Sequence, residues 1–266
     1  TLQYSSTSAG TFTMSSFTTN IANRQYNNLV LVGGSSTVWN LATGFNMGIA
    51  GNFSLTGAGT FTVCSNTTAN TTTVDGNFTL GTSSGNVNVA SSSGAGTLNV
   101  TGSLTHSGTG FLTVTGSTGL GALVVTGNMN LSGTAGTLRV TNNVSAPTTA
   151  VSVGGNLSIS NTGRIQMEAI STASTSSTIN VAGNFNSTAT GTSSNGPVDW
   201  GAGSANSTLS GNNITLLGDF SKSGNGTFYT SGGTTGTAPT NFGFIFNKNG
   251  IQTFSYSGTA SDYTCY

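Results

Sequence analysis

The chain has 266 residues, a formal net charge of zero and only 4% charged residues, against about 25% in ordinary soluble domains. Glycine numbers 40 and proline 3. Ser, Thr and Asn fill much of the rest, yet Val, Leu, Ile and Phe recur in phase, so a disordered polar tract is not expected.

Neutrality removes whole classes of partner. Five Lys/Arg residues scattered over the chain make no groove that tracks phosphates, so no nucleic acid is expected. No basic amphipathic stretch points to a membrane surface. No apolar run approaches the roughly 18 residues of a spanning helix, so membrane insertion is not expected. The sequence starts at Thr1 without a signal peptide, as a mature secreted chain or a piece of a longer one would. Cys64 and Cys265 have no metal-ligand spacing; they read as two unpaired thiols or as partners in a disulfide.

Helix formers never cluster, and alternating runs recur instead. In chain order, the first 50 residues carry short runs such as Leu29-Val30-Leu31. A phrase then repeats: Gly51-Asn52-Phe53, Gly76-Asn77-Phe78, Gly102-Ser103-Leu104, Gly127-Asn128-Met129, Gly155-Asn156-Leu157 and Gly183-Asn184-Phe185. The leading glycines step by 25, 26, 25, 28 and 28 residues. A fixed period of this size signals stacked repeats. Between successive phrases lie two further runs, such as Leu112-Thr113-Val114 and Leu123-Val124-Val125, each with apolar residues two apart. That is a strand with one buried face. Three strands per 25–28 residues predict an all-β, right-handed parallel β-helix of roughly ten coils, about 50 Å long at one strand spacing per coil.

Each residue of the phrase has an expected part. The glycine takes a positive-φ corner or permits close backbone approach. Asn52, Asn77, Asn128, Asn156 and Asn184 stack at one corner as a side-chain amide ladder, with Ser103 breaking the series. Phe53, Phe78, Leu104, Met129, Leu157 and Phe185 stack within the bore. The regular coils span 51–187. Residues 188–217 form an irregular coil, looped out or enlarged around 197–200. Residues 218–266 echo the N-terminus: 2–16 align without gaps onto 244–258 at an offset of 242. The whole chain, 1–266, thus reads as one continuous solenoid segment, with 1–50 as module-junction coils.

Tyr26-Asn27-Asn28-Leu29-Val30-Leu31, Gly51-Asn52-Phe53-Ser54-Leu55, Phe244-Ile245-Phe246-Asn247 and Gln252-Thr253-Phe254 resemble a tandem module of very large secreted proteins of the Bacteroidota. Those modules are extracellular and β-helical, and belong to cell-surface adhesins exported by type IX secretion, some linked to gliding motility. The resemblance covers essentially the whole chain. It implies a non-catalytic, extracellular stalk or filament whose partners are neighbouring modules or copies of itself. The family's C-terminal secretion domain is not seen, which makes an internal segment the expectation.

Parallel β-helices also include polysaccharide-acting enzymes. Paired carboxylates or a tuned base would be needed for that chemistry. Asp75, Glu168, Asp199, Asp219 and Asp262 neither cluster nor recur at the coil period. Arg164 and Glu168 read as a surface pair of little consequence, and His106, the only histidine, as a structural residue at a coil corner. No catalytic residue, metal ligand or cofactor is therefore assigned. A carbohydrate-binding module is the main alternative, with Trp200, Trp39 and Tyr229 as candidate platforms for surface glycans; Tyr4 is a weaker one. An ice-binding array is a third reading, but the Thr-x-Thr runs at 11–13, 60–62, 71–73 and 113–115 do not recur once per coil. Their ordinary role is β-branched packing on strand faces.

Overall fold

The computed structural model describes residues 1–15, 25–81, 83–134, 136–142, 149–168, 177–191, 196–200, 212–229 and 243–257, without the side chains of Glu168 and Tyr229. These residues form 27 strands and no helix. The strands fall into three sheets of ten, nine and eight, and every pairing is between strands of successive coils. One coil shows the rule. Phe78–Leu80 lies in the first sheet, Asn86–Ala90 in the second, Gly96–Val100 in the third, and Leu104–His106 returns to the first. All pairs are parallel. The chain is a β-solenoid with three faces. Nine steps separate the ten strands of the first sheet, about 43 Å at 4.8 Å per step.

Parallel register carries each inward position straight up the bore. One column runs Leu29, Phe53, Phe78, Leu104, Met129, Leu157, Phe185, Phe220 and Phe254. All but Phe254 are buried. Phe53 and Phe78 stack with centroids 4.8 Å apart, and Phe220 and Phe254 at 4.6 Å. In the third sheet the column Val74, Val100, Val125, Val153, Val181 is fully enclosed. Identical or like side chains in register pack without voids, so each coil's core is completed by its neighbours rather than by itself.

Two expectations change and two narrow to one of their alternatives. Of the two expected forms, the stretch around 197–200 is the enlarged coil, not a looped-out one: Val198–Asp199 pairs with Ile165 and Gln166 in the second sheet, Trp200 is buried, and the next rung of the corner comes 35 residues on. The other departures expected within 188–217 fall largely on 192–195 and 201–211, outside the described residues. The terminal echo is displaced by one face. Leu2–Ser6 and Gly10–Met14 occupy the first and second sheets, whereas their counterparts Gly243–Phe246 and Phe254–Tyr256 occupy the third and first. His106 is not at a corner but inside the bore, in register between Leu80 and Leu131. The phrase glycines have no positive φ; among the described residues that geometry belongs to Gly44, Gly57, Gly243, Gly250 and Asn161.

Candidate functional site

Two arrangements stand out, one structural and one facing solvent. At the corner before the first sheet, the backbone N–H of each phrase asparagine donates to the side-chain oxygen of its predecessor one coil back. Asn52 donates to Asn28 Oδ1 at 2.7 Å, Asn77 to Asn52 at 2.8 Å, Asn156 to Asn128 at 2.8 Å and Asn184 to Asn156 at 2.8 Å. The ladder is therefore side chain to backbone, not amide to amide. It needs only an acceptor, which explains its exceptions. Ser103 continues the series: its N–H donates to Asn77 Oδ1 at 2.8 Å, and its Oγ accepts from Asn128 at 3.3 Å. Asp219 does the same, donating to Asn184 at 2.7 Å and accepting from Thr253 at 3.0 Å. The last bond and Lys248, 2.9 Å away, hold the exposed Asp219 carboxyl below its usual pKa.

Glycine precedes each asparagine because the coils come so close there. Gly76 N–H donates to Gly51 O at 3.0 Å. A Cβ on Gly76 would sit 2.5 Å from Asn52 Oδ1 and 2.6 Å from Gly51 O. Asparagine's own carbonyl completes the corner: Asn77 O accepts from Phe53 N, and Asn156 O from Met129 N. Thus Gly51, Gly76, Gly127, Gly155 and Gly183, with their asparagines, form a coil-to-coil seam beside the bore.

The second arrangement lies outside the second sheet. Four of its strands end with two successive buried residues: Val63 and Cys64, Val89 and Ala90, Val114 and Thr115, Val140 and Thr141. The ladder pairs Val87 with Leu112, Asn88 with Thr113 and Ala90 with Thr115, skipping Val89 and Val114. The outer face of these strands carries a concavity. Thr62 and Thr113, turned away from the bore by alternation, are only 3% and 4% exposed.

This groove, about 290 Å³, is bordered by Thr60, Asn86 and Phe111 on one side and by Ser91, Gly116 and Asn142 on the other. Asn88, Thr113 and Arg139 line it between them. Asn86 Oδ1 accepts the Phe111 N–H at 2.9 Å, fixing that wall. The Arg139 guanidinium lies 3.9 Å from the Phe111 ring centroid, and its Nε donates to Gln166 Oε1 at 3.1 Å. Burial first, and then the positive charge of Arg164, lower the Arg139 pKa, but a guanidinium stays charged throughout. Arg164 itself donates from Nε to Thr137 Oγ1 at 2.9 Å; its expected partner side chain, Glu168, lies outside the described residues.

The aromatic platforms read from the sequence are not at this groove. Trp39 and Trp200 are 3% and 4% exposed. Trp39 fills the bore where Gly33 and Gly59 leave room: a Cβ on Gly59 would collide with its ring, Cζ3 being the nearest atom. Trp200 packs edge-on to Phe244 at 5.3 Å. Neither offers a face to a glycan: Trp39 lies within the bore, and the irregular stretch carries Trp200 into the core. Tyr4 is half-buried against the N-terminal end of the core. The Tyr229 side chain lies outside the described residues, though its backbone pairs with Asp199. Sequence inspection passed over Phe111 and Arg139, which lie far apart in the chain. The signal was their phase: both fall on outward positions of successive second-sheet strands.

The interior polar groups are local fittings. His106 Nε2 donates to Gly110 O at 2.9 Å, which leaves Nδ1 bare and without a partner. Burial lowers its pKa, partly offset by that carbonyl. Cys64 is free and buried, its Sγ 3.3 Å from Thr68 O; Cys265 lies outside the described residues. Thr115, Thr149, Thr141 and Ser177 form a buried hydroxyl chain, with contacts of 2.8 Å, 3.1 Å and 2.9 Å. His106 and Asp219 are separated by four steps of the first sheet, about 19 Å, and Asp199 lies on another face. Among the described residues no three His, Cys, Asp or Glu side chains come together. On the outward face of the third sheet, Thr73 is followed in register by Asn99, Val124, Ser152 and Asn180, so no threonine array forms there. Comparisons with protein family models, curated proteins and solved structures return no match.

Proposed function

We propose that this chain is a structural stalk or filament segment of a large extracellular, cell-surface adhesin, stacked on neighbouring modules of the same chain or on copies of itself. The observation that carries the reading is continuity along the axis. The asparagine seam runs from Asn28 to Thr253, alongside three parallel sheets. Every bond in the seam joins one coil to the next. Such a molecule resists bending and extension through many weak bonds in parallel, and its stability is a sum over neighbouring coils.

The near absence of charge supports the same reading. Like charges in register would face each other at each step, whereas the outward column of the first sheet reads Ser54, Thr79, Thr105, Asn130, Ser158, Asn186 and Ser221. Apolar surface at both ends also fits a segment meant to be stacked. Phe12 is 44% exposed at one end, and Phe254 and Phe246 are 53% and 45% exposed at the other. Open strand edges of this kind recruit further strands.

The test has two parts. Small-angle scattering of one copy and of two copies joined in tandem should give rods of equal cross-section, with the tandem about 40 Å or more longer. Antibodies against the chain should label intact source cells, and cells deleted for the segment should lose attachment. A tandem that folds back to a compact particle, or labelling only after lysis, would overturn the proposal.

A further inference from the structure

We propose that the groove of the second sheet binds an acidic saccharide chain, with Arg139 holding a sugar carboxylate. The site rests on its own geometry and does not depend on the stalk reading.

Arg139 is a charged donor fixed in place. Phe111 holds the guanidinium plane at 3.9 Å, and Gln166 takes the Nε hydrogen at 3.1 Å. Among the described residues the Nη groups have no hydrogen-bond or ion-pair partner. They border a concavity whose other walls are neutral. The next cation, Arg164, is on the adjacent coil and adds to the positive potential. The acid of the same outward column, Asp199, is two coils further on and buried. An anion is the complementary ligand, and a planar carboxylate suits the guanidinium fork.

The remaining lining selects the rest of the ligand. Asn88, Thr113, Ser91 and Asn142 offer amide and hydroxyl groups, the pattern that matches neighbouring sugar hydroxyls. Equivalent positions repeat along the groove at about 4.8 Å, one coil per step, close to the length of one sugar unit. A chain lying parallel to the rod axis therefore meets Asn88, Thr113 and Arg139 at successive coils, with its one carboxylate contact at Arg139. A polypeptide strand would need unpaired backbone edges, which the sides of this sheet do not have.

The experiment is calorimetric titration of the full chain with a short oligogalacturonate, using its methyl-esterified counterpart as the uncharged control. The acid form should bind, weaken as salt is raised, and lose affinity about tenfold or more in Arg139→Gln, since a charge-assisted bidentate pair is lost. Asn88→Asp, which sets a negative charge in the groove without touching the Arg139 contacts, should weaken binding to a similar degree. It serves as the second variant if Arg139→Gln alters the circular-dichroism spectrum. Equal binding of the ester, unchanged affinity in both variants, or no binding of the acid form at millimolar concentration would overturn the assignment.

Discussion

Replacing Asn156 tests what the corner seam is made of. In Asn156→Ala the Asn184 N–H loses its acceptor at 2.8 Å. Both asparagines are half-buried, so water replaces the bond only in part. The expected cost is about 1 kcal/mol, within the usual range for one net hydrogen bond. In Asn156→Asp the acceptor remains, as it does naturally at Asp219, which takes the Thr253 N–H at 3.0 Å. That variant should stay within about 0.5 kcal/mol of the parent, the range of surface substitutions. Replacing Asn52, Asn77, Asn128, Asn156 and Asn184 together by alanine removes five rungs, about 5 kcal/mol if they add, a large part of ordinary stability. Urea denaturation gives the totals. Native-state hydrogen exchange gives the location: Asn184 should exchange about fivefold faster in Asn156→Ala, with distant coils unchanged. Two results would refute the reasoning. If Asn156→Asp is as damaging as Asn156→Ala, the seam depends on the amide nitrogens. If the alanine variant leaves Asn184 exchange unchanged, the rung carries no load.

Gly127→Ala places a Cβ 2.6 Å from Gly102 O and 2.8 Å from its carbonyl carbon. The coils must separate, at about 1–3 kcal/mol, read as a lower urea midpoint. Phe78→Ala removes a fully buried ring stacked on Phe53 and should cost about 3–5 kcal/mol, again by denaturation. His106 is held neutral by burial, so its folded pKa lies below the unfolded value of about 6.5. The unfolded chain then binds the extra proton as pH falls below that value, and stability drops on the acid side but not above it. His106→Leu, matching Leu80 and Leu131 in register, should remove that slope in melting curves taken across pH 5–8. Trp39 and Trp200 should show blue-shifted emission that neither iodide nor saccharide alters, because both are buried; quenching by saccharide would place one of them at a binding surface.

What the sequence determined by itself is the solenoid. Its three strands per coil were legible because period-two alternation and a near-constant glycine step are both linear in the chain. The bore column from Phe53 to Phe185 followed directly, since parallel register repeats each inward residue at the same phase. The corner was legible in composition but not in bonding. Only the coil-to-coil distance decides that Asn52 Oδ1 meets a backbone N–H rather than another amide, and that Ser103 and Asp219 can stand in. Tertiary structure also decided which aromatics face outward. Trp39 and Trp200 looked like platforms by type, but they occupy bore volume left by glycines or by an irregular coil. Phe111 and Arg139 became neighbours only because Thr113 lies in register with Arg139, which puts Phe111 on the diagonal within reach of a long side chain. A linear pattern states on which face a residue lies. How closely the coils approach, and where that face carries a groove, depends on distances between residues about one coil apart, and those exist only once the coils are stacked.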